Sequence, residues 1–272
     1  ETLEAESVVE TFLSTAVMGH LETVTIIHGK GTGALRNAVH DILRRNKNVK
    51  SFRLGVYGEG ENGVTVVDPA ATYVDPRCSV APGVTLLPGT ILRGHTAVDR
   101  DSEIGPNSML RDCRIGQRTT VNASQLNDST VGSDTTVGPF TYVRPGCTIG
   151  DHCRVGDFVE VKNSVIGDGT KISHLTYVGD SDVGRRVNFG CGTVTTNYDG
   201  HKKFRCTIGD DVFLGCNTNL IAPVTVGDRA YTAAGSTVTD DVPDGALAIA
   251  RTRQTNKPGW ADRLHSLWKK DK

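Results

Sequence analysis

The chain has 272 residues, of which 37% are hydrophobic and 22% are charged, and its formal net charge at pH 7 is −1. These values are typical of a globular protein, and they exclude a disordered chain and a general electrostatic attraction to nucleic acid or acidic lipid. No apolar run approaches the ~18 residues of a membrane span, and the acidic stretch 1–10 is unlike a secretory signal, so we expect a cytoplasmic protein without membrane insertion.

The first 67 residues alternate helix and strand signals. Apolar residues at helical spacing run from Leu3 to Ala16, and a β-branched run follows at 24–27. After these come a glycine-rich turn at 28–33, an amphipathic stretch at 35–43 and strand-like segments at 49–54 and 63–67. This order predicts a small α/β module.

The glycine-rich turn of this module is His28-Gly-Lys-Gly-Thr-Gly33. Together with 34–39, Val49-Lys-Ser-Phe-Arg-Leu-Gly55 and Gly63-Val-Thr-Val-Val67, it resembles the Smr (small MutS-related) domain. The resemblance implies nucleic-acid binding, which in some members includes nicking. The family's first strand and its carboxylate do not precede Glu1 in this sequence, so we expect a truncated or grafted module, to which the nuclease activity is not carried over.

Basic residues are concentrated within the module. Between Lys30 and Arg53 there are seven basic residues and one acidic residue, Asp41. Such a local basic face fits contact with the phosphates of nucleic acid, and we assign that contact to His28, Lys30 and Arg36. A solvated helix face explains the same charges, so both interpretations stay open.

From residue 74 onward an aliphatic residue returns every six positions, at Val74, Val80, Leu86, Leu92, Val98, Ile104 and Leu110. The period resumes in 131–161, 166–195 and 208–238. A repeat this short cannot bury its apolar side chain alone, so the units must stack into a β-helix with three hexapeptides in each triangular coil. A glycine often follows the aliphatic residue, and we expect it to supply the positive φ of a tight corner.

The period is interrupted between Thr195 and Ile208, where the spacing is thirteen residues instead of twelve. The run Asn197-Tyr-Asp-Gly-His-Lys-Lys-Phe204 has no aliphatic residue at the next repeat position, so it must leave the coil as a loop. Polar loops on a rigid scaffold commonly carry binding residues.

Six polar motifs follow one another along the repeat: Val143-Arg-Pro-Gly, Gly156-Asp-Phe-Val-Glu-Val-Lys162, His174-Leu-Thr-Tyr-Val-Gly-Asp180, Asn197-Tyr-Asp-Gly200, Lys203-Phe and Gly209-Asp-Asp-Val-Phe213. In this order, residues 68–260 resemble the acetyltransferase half of the bifunctional bacterial GlmU enzymes. The resemblance implies a left-handed parallel β-helix, an exception to the usual right-handed crossover, assembled as a homotrimer with active sites between subunits. The fold class is thus mainly β.

The reaction that the resemblance implies is acetyl transfer from acetyl-CoA to the amine of glucosamine 1-phosphate, with no metal needed. The product would be N-acetylglucosamine 1-phosphate, which serves the synthesis of UDP-N-acetylglucosamine for the cell wall. The family's N-terminal uridylyltransferase domain has no counterpart in this sequence, so we expect neither its activity nor its magnesium.

The resemblance also implies roles for residues. A protonated sugar amine cannot attack a thioester, and histidine, with an ordinary pKa of about 6.5, is suited to remove the proton. The base is therefore assigned to His174. Arg144 and Lys162 match the phosphate ligands of the family, while Tyr177, Asn188 and Lys203 match sugar contacts. The positions that match acetyl-CoA contacts are Asn197, Tyr198, Cys191, Cys216, Ala234 and Arg251.

The seven cysteines are odd in number and lack zinc-type spacing, so we expect reduced packing residues rather than disulfides. Two of them depart from the family, which usually has Ala where Cys191 stands and Ser where Cys216 stands. A thiol at position 216 would weaken a hydroxyl hydrogen bond to the cofactor or intermediate, so we expect reduced turnover rather than loss of activity.

The chain divides by these criteria into a partial Smr-like module at 1–67, a β-helix domain at 68–250 and a C-terminal tail at 251–272. In the tail, Trp260, Leu264, Leu267 and Trp268 have helical spacing. We expect this short helix to cap the open end of the solenoid, which otherwise exposes core and strand edges.

Two other functions are weighed against the acetyltransferase. One is a nucleic-acid-binding protein in which the trimeric solenoid multiplies weak Smr contacts by avidity. The other is a carbonic-anhydrase-like zinc enzyme, which requires three converging histidines, and the spacing of His95, His152, His174 and His201 gives no sign of such convergence.

Overall fold

The computed structural model describes residues 2–18, 24–28, 34–49, 52–54, 64–66 and 71–268. An α/β module is followed along the chain by a three-sided parallel β-solenoid and a short C-terminal helix. The predicted mainly β fold with hexapeptide coils is confirmed.

The N-terminal module consists of α1 (Thr2–Met18), β1 (Thr25–Ile27), α2 (Ala34–Arg45), β2 (Arg53–Leu54) and β3 (Val64–Val66). The central strand β3 pairs antiparallel with β1 and with β2. Helix α2 is amphipathic, and it packs its apolar side chains against α1. The buried residues of this small core are Val9, Leu13, Ala16, Val24, Val39, Ile42 and Leu43. Most of the predicted glycine-rich turn, 29–33, lies outside the described residues.

The solenoid has three parallel sheets, here called the first, second and third faces. The first face contains β4 (Tyr73–Val74), β7 (Ile91–Arg93), β10 (Met109–Arg111), β13 (Gln125–Asn127), β16 (Tyr142–Val143), β19 (Glu160–Lys162), β22 (Tyr177–Gly179), β25 (Val194–Thr196), β28 (Asn219–Ile221) and β31 (Thr237–Val238). The second face contains β5 (Ser79–Val80), β8 (Ala97–Val98), β11 (Arg114–Ile115), β14 (Ser129–Val131), β17 (Cys147–Ile149), β20 (Val165–Ile166), β23 (Ser181–Val183), β26 (Cys206–Ile208) and β29 (Val224–Val226). The third face contains β6 (Thr85–Leu86), β9 (Glu103–Ile104), β12 (Thr120–Val121), β15 (Thr136–Val137), β18 (Arg154–Asp157), β21 (Lys171–His174), β24 (Asn188–Phe189), β27 (Phe213–Leu214), β30 (Tyr231–Thr232) and β32 (Leu247–Ala248).

The core of the solenoid is built from columns of inward side chains. On the first face Val143 pairs with Val161 and Val161 with Val178, and all three are fully buried. Thr195 follows in the same column, where its hydroxyl accepts a hydrogen bond of 2.7 Å from the Gly179 N–H. Full burial of one aliphatic side chain contributes about 1.5–3 kcal/mol, so stacking supplies the stability that a single hexapeptide lacks.

The glycines after the aliphatic positions have a different role from the one predicted. Gly105 and Gly138 have positive φ, at 109° and 103°, whereas Gly167 and most others in this position do not. A Cβ on Gly167 would lie 2.6 Å from the backbone carbonyl of Gly184 in the next coil. The left-handed corners are instead formed largely by other residues, such as Asn107 at 55°. Close approach of adjacent coils, rather than backbone conformation, therefore requires most of these glycines.

The two ends of the solenoid differ. Ile27 of β1 packs against the solenoid core and β1 lies beside β6, so the N-terminal module contacts the first coil. Helix α3 (Trp260–Trp268) buries none of its side chains, and Trp260 and Trp268 are both 58% exposed. The helix was predicted correctly, but its predicted capping of the last coil is wrong for a single chain, because the exposed segment 249–259 does not pack it onto the coils.

Candidate active site

His174 lies at the corner between the third and first faces, at the end of β21. It is the register partner of Asp157, the last residue of β18. The Nδ1 atom of His174 lies 3.8 Å from Oδ2 of Asp157, and both side chains are about half exposed. At this distance the carboxylate attracts an imidazolium and favours one ring orientation without a direct hydrogen bond. The predicted base is thus accessible to a substrate and has a carboxylate beside it.

Arg144 and Lys162 lie side by side on the outside of the first face. Val143 pairs with Val161, so the residues that follow them occupy neighbouring positions on adjacent coils, and the Arg144 N–H donates to the Val161 carbonyl at 2.8 Å. The Arg144 guanidinium also donates to Oε1 of Glu160 at 2.9 Å and remains 41% exposed. The stacking of coils therefore brings together two cations that are far apart in the sequence.

Asp180 is a buried carboxylate that pairs with Lys162. It is 4% exposed and accepts hydrogen bonds from Nζ of Lys162 at 2.8 Å, from Nδ2 of Asn163 at 2.5 Å and from Nδ2 of Asn197. Burial raises the pKa of Asp180, but these bonds outweigh burial and hold the pKa below its ordinary value. Burial lowers the pKa of Lys162, but the hydrogen bond to Asp180 helps to raise it above its ordinary value overall. The buried pair is therefore ionised near neutral pH.

The predicted loop leaves the first face at Asn197 and returns at Phe204, whose N–H donates to the Asn197 carbonyl at 2.9 Å. Within it Tyr198 and Lys203 form an antiparallel bridge. The neighbouring Lys162 lowers the pKa of Lys203, and the charge of Arg144 acts in the same direction. Three cations thus lie close together near two carboxylates, an arrangement that favours a bound anion.

The other two predicted sugar contacts lie on different faces. Tyr177 is on the first face opposite Glu160, and its Oη accepts a hydrogen bond from Asn197 Nδ2 at 3.4 Å. Asn188 is on the third face, opposite Lys171. Within one chain the structure therefore brings Tyr177, but not Asn188, to the three cations.

Four of the residues assigned to acetyl-CoA lie along the corner that carries His174. The register between coils places Cys191 after His174, then Cys216, then Ala234. Backbone hydrogen bonds of 2.8 Å join these last three positions. The exposed Arg251 follows. Its Cδ lies next to Gly235, 3.8 Å from the position that a Cβ on this glycine would occupy. These positions form a continuous edge that is exposed except at the half-buried Cys191, and we call it the corner column: His174, Cys191, Cys216, Ala234 and Arg251.

Asp157 and Asp180 were not predicted as site residues from the sequence. Each of them lies one coil from an assigned residue, since Asp157 is the register partner of His174 and the Asp180 N–H donates to the Lys162 carbonyl at 2.9 Å. Both carboxylates could have been predicted by examining the residues one coil before and one coil after each assigned residue.

The structure describes two of the three predicted nucleic-acid contacts. His28 is only 8% exposed and packs edge-on against His40 with ring centroids 5.8 Å apart, so it is not available as a surface contact. Arg36 is half-buried, and Lys30 lies outside the described residues. Two further arginines of α2 pair with carboxylates, Arg44 with Asp41 and Arg45 with Glu6.

Comparison with known families divides the chain in the same way as its architecture. The Smr domain matches residues 1–69, and the bacterial transferase hexapeptide (six repeats) matches residues 128–163 and 205–240. The two family models thus match separate segments of the chain, one in the N-terminal module and one in the solenoid. The first match confirms the Smr resemblance stated from the sequence, and the second agrees with the hexapeptide period.

Several curated proteins are similar to this chain. Bifunctional protein GlmU of Caldanaerobacter subterraneus subsp. tengcongensis is 48% identical over 247 residues, which cover 91% of this chain and 52% of that protein. Bifunctional protein GlmU of Geobacillus thermodenitrificans is 52% identical over 204 residues, which cover 75% of this chain and 44% of that protein. The chain spans about half the length of the curated relatives it matches.

Solved structures with a similar shape include an Arabidopsis UDP-N-acetylglucosamine acyltransferase. It has 17% identity and a TM-score of 0.46, and the alignment covers 67% of this chain and 70% of that one.

The described residues bear on the zinc-enzyme hypothesis and on membrane insertion. In the part of the chain that the structure describes, no three His, Cys, Asp or Glu side chains converge on a metal position, so the zinc-enzyme hypothesis has no support there. None of the described helices has the length and apolar content of a membrane span.

Proposed function

We propose that the solenoid transfers an acetyl group from acetyl-CoA to the amine of glucosamine 1-phosphate. The observation that carries this proposal is the group of three cations, Arg144, Lys162 and Lys203, on the face next to the His174 corner. A sugar phosphate needs fixed positive charge at one end and a base at the other. The similarity to proteins named GlmU supports the same substrates.

In the proposed reaction His174 removes a proton from the sugar ammonium, so that the free amine attacks the thioester carbon. A C–N bond forms and the C–S bond breaks, the departing thiolate takes the proton back from His174, and the nitrogen of the new amide loses its remaining extra proton to solvent. Asp157, 3.8 Å from Nδ1, stabilises the imidazolium that forms between these two transfers. Arg144 and Lys162 hold the phosphate, and Tyr177 contacts the sugar ring.

The donor is proposed to lie along the corner column. Its thioester would then be next to His174, and its phosphates would reach Arg251 at the far end. Asn197 and Tyr198, at the start of the loop, would contact the pantetheine. Asp180 binds both Lys162 and Asn197, so it links the phosphate side of the site to the donor side.

We further propose that the active form is a homotrimer. Helix α3 leaves Trp260, Leu267 and Trp268 exposed, and an apolar helix face of this kind is expected to be covered by a neighbouring copy. A second copy would also supply an Asn188 to the cationic face from its own third face. Light scattering would then give three times the 29.1 kDa chain mass, and a monomer at working concentration would contradict the assembly.

The test is a direct assay of the acetylated product by mass spectrometry, with glucosamine 1-phosphate and acetyl-CoA. General-base catalysis contributes about 10²–10⁴-fold, so His174→Ala should lose activity by that factor. The matched control is His95→Ala, at an exposed histidine on an early coil. Wild-type inactivity on this substrate refutes the proposed function, and a fully active His174→Ala removes that residue from the mechanism.

The second candidate function is nucleic-acid binding by the N-terminal module, favoured by the Smr match over residues 1–69. The basic residues of α2 give it a local positive face, although two of them are paired with carboxylates. Binding of short RNA or DNA that weakens steeply with salt, and that Arg36→Glu reduces, would support it. Absence of binding at low salt would exclude it.

A further inference from the structure

Two of the seven cysteines differ from the rest in position. Cys191 is half-buried and Cys216 is exposed on the outer corner of the solenoid, and both are free thiols. In the other five cysteines burial raises the pKa of the thiol, which disfavours the reactive thiolate. These five are Cys78, Cys113, Cys147, Cys153 and Cys206. Thiol reactivity is therefore expected to be concentrated in one pair.

The register between coils makes these two cysteines direct neighbours. Phe189 pairs with Leu214, and two positions further along the chain the Asn217 N–H donates to the Cys191 carbonyl at 2.8 Å. Cys191 and Cys216 are thus partners on adjacent coils, where backbones lie about 4.8 Å apart. Disulfides join residues whose Cα atoms are about 4.4–6.8 Å apart, so the coil spacing is compatible with a bond between them.

We propose that Cys191 and Cys216 form a surface dithiol that reacts with small disulfides and closes to an intramolecular disulfide. One thiolate attacks a sulfur of the small disulfide, so that a mixed disulfide forms and the first small thiol leaves. The second cysteine attacks the protein sulfur of that mixed disulfide and releases the second small thiol. The small disulfide is reduced by two electrons, the two cysteines are oxidised, and their protons go to the released thiols.

The position of this pair suggests a consequence, which depends on the proposed function. The pair lies in the corner column between His174 and Ala234, where the acetyl donor is proposed to bind. Closing the bond would draw two side chains together on that edge and reshape it, so oxidation should inhibit acetyl transfer reversibly.

The experiment uses the whole chain and the aromatic disulfide dithiobis-nitrobenzoate under native conditions. The wild type should release two equivalents of nitrothiobenzoate rapidly and keep none bound, because the second step displaces it. Intact mass should show only the loss of two hydrogen atoms, and peptide mapping should join Cys191 to Cys216. Cys191→Ala and Cys216→Ser should each release one rapid equivalent and retain a stable mixed disulfide. The control Cys78→Ala, far from the corner, should behave as the wild type does.

A wild-type chain that retains a mixed disulfide, or that joins other cysteines, would overturn the dithiol. The proposed function is tested separately, by comparing acetyl transfer before and after oxidation and after reduction with dithiothreitol. Two released equivalents in a chain that never acetylates the sugar would refute the proposed function and leave the dithiol established. In an active chain, transfer that is unchanged by complete closure would refute the inhibitory role of the dithiol.

Discussion

Replacing Asp180 by Asn should damage both the fold and the site, because the carboxylate has no substitute in its surroundings. It is 4% exposed and receives donors from Lys162, Asn163 and Asn197. An amide has the same shape, but it carries no charge and directs an N–H₂ group at one of these donors. The Lys162 ammonium, with 16% of its side chain exposed, would lose its counter-ion while remaining close to Lys203.

The size of the effect follows from this burial. Removing one partner of a buried ion pair costs about 3–5 kcal/mol, and a hydrogen bond to a charged group contributes about 1.5–3 kcal/mol. Because Lys162 keeps some contact with water, we expect Asp180→Asn to lower the free energy of unfolding by about 2–3 kcal/mol. At about 2–4 °C per kcal/mol the melting temperature should fall by about 4–12 °C.

The matched control is Asp182→Asn, two residues away. Asp182 accepts two hydrogen bonds from Arg205, at 2.9 and 2.5 Å, but its side chain is 52% exposed. Exposed ion pairs contribute about 0–1 kcal/mol, so this variant should melt within about 4 °C of the wild type. Thermal unfolding followed by circular dichroism measures both. Equal and small shifts for the two variants would refute the reasoning from burial.

The same variants separate structure from substrate binding. If Asp180 fixes Lys162 and Asn197, Asp180→Asn should raise KM for both substrates at temperatures where the variant is fully folded. Asp182→Asn should leave both KM values unchanged. A variant that loses stability while keeping its KM values would show that Asp180 acts only on the fold.

Three further predictions concern packing, pH and phosphate binding. Gly167→Ala should destabilise the solenoid by about 1–3 kcal/mol, because its Cβ would lie 2.6 Å from the backbone of Gly184; an unchanged urea midpoint would contradict the close stacking of coils. The pKa values of Asp180 and Asp182 are lowered in the folded state, so their stabilisation is present above the ordinary pKa of about 3.9 and is lost as the pH falls below it. Urea midpoints should therefore decline below about pH 4, and midpoints that rise there would refute this sign. Arg144→Met should raise KM for glucosamine 1-phosphate about tenfold to a hundredfold, the equivalent of one charged hydrogen bond, without changing KM for acetyl-CoA; equal increases in both would argue against a phosphate contact.

The sequence was sufficient to predict the solenoid because the inward position of each hexapeptide is chemically distinct. One inward column contains Val143, Val161 and Val178. A polar side chain is tolerated in such a column only where it has a hydrogen-bond partner. The role of the glycines was predicted wrongly because a glycine can be required for two reasons. One is a positive φ, and the other is close contact with a neighbouring backbone. Gly167 is required because a side chain there would collide with the backbone of the next coil. A single repeat does not contain both partners of this contact, so the contact cannot be found from one repeat.

The assigned site residues were found by resemblance, whereas the carboxylates beside them were missed. Arg144, Lys162 and Lys203 are prominent in the sequence because they stand inside recognisable motifs. Asp180 closes one of those motifs, but its partners come from the coils before and after it. Its importance is visible only when the chain is stacked, since burial and three simultaneous donors are properties of the assembled coils.

The coil length explains which residues can act together. Partners on adjacent coils are mostly separated by 16 to 18 residues, as in the pairing of Leu110 with Leu126, of Asp157 with His174 and of Val143 with Val161. The excursion after Asn197 breaks this rule, so that Ser181 pairs with Cys206 instead of a residue closer in sequence. The loop therefore adds residues to the site without disturbing the columns on either side of it. An insertion can be tolerated there because Asp180 binds Asn197, the first residue of the loop. The buried carboxylate therefore connects the rigid repeat to an irregular binding segment.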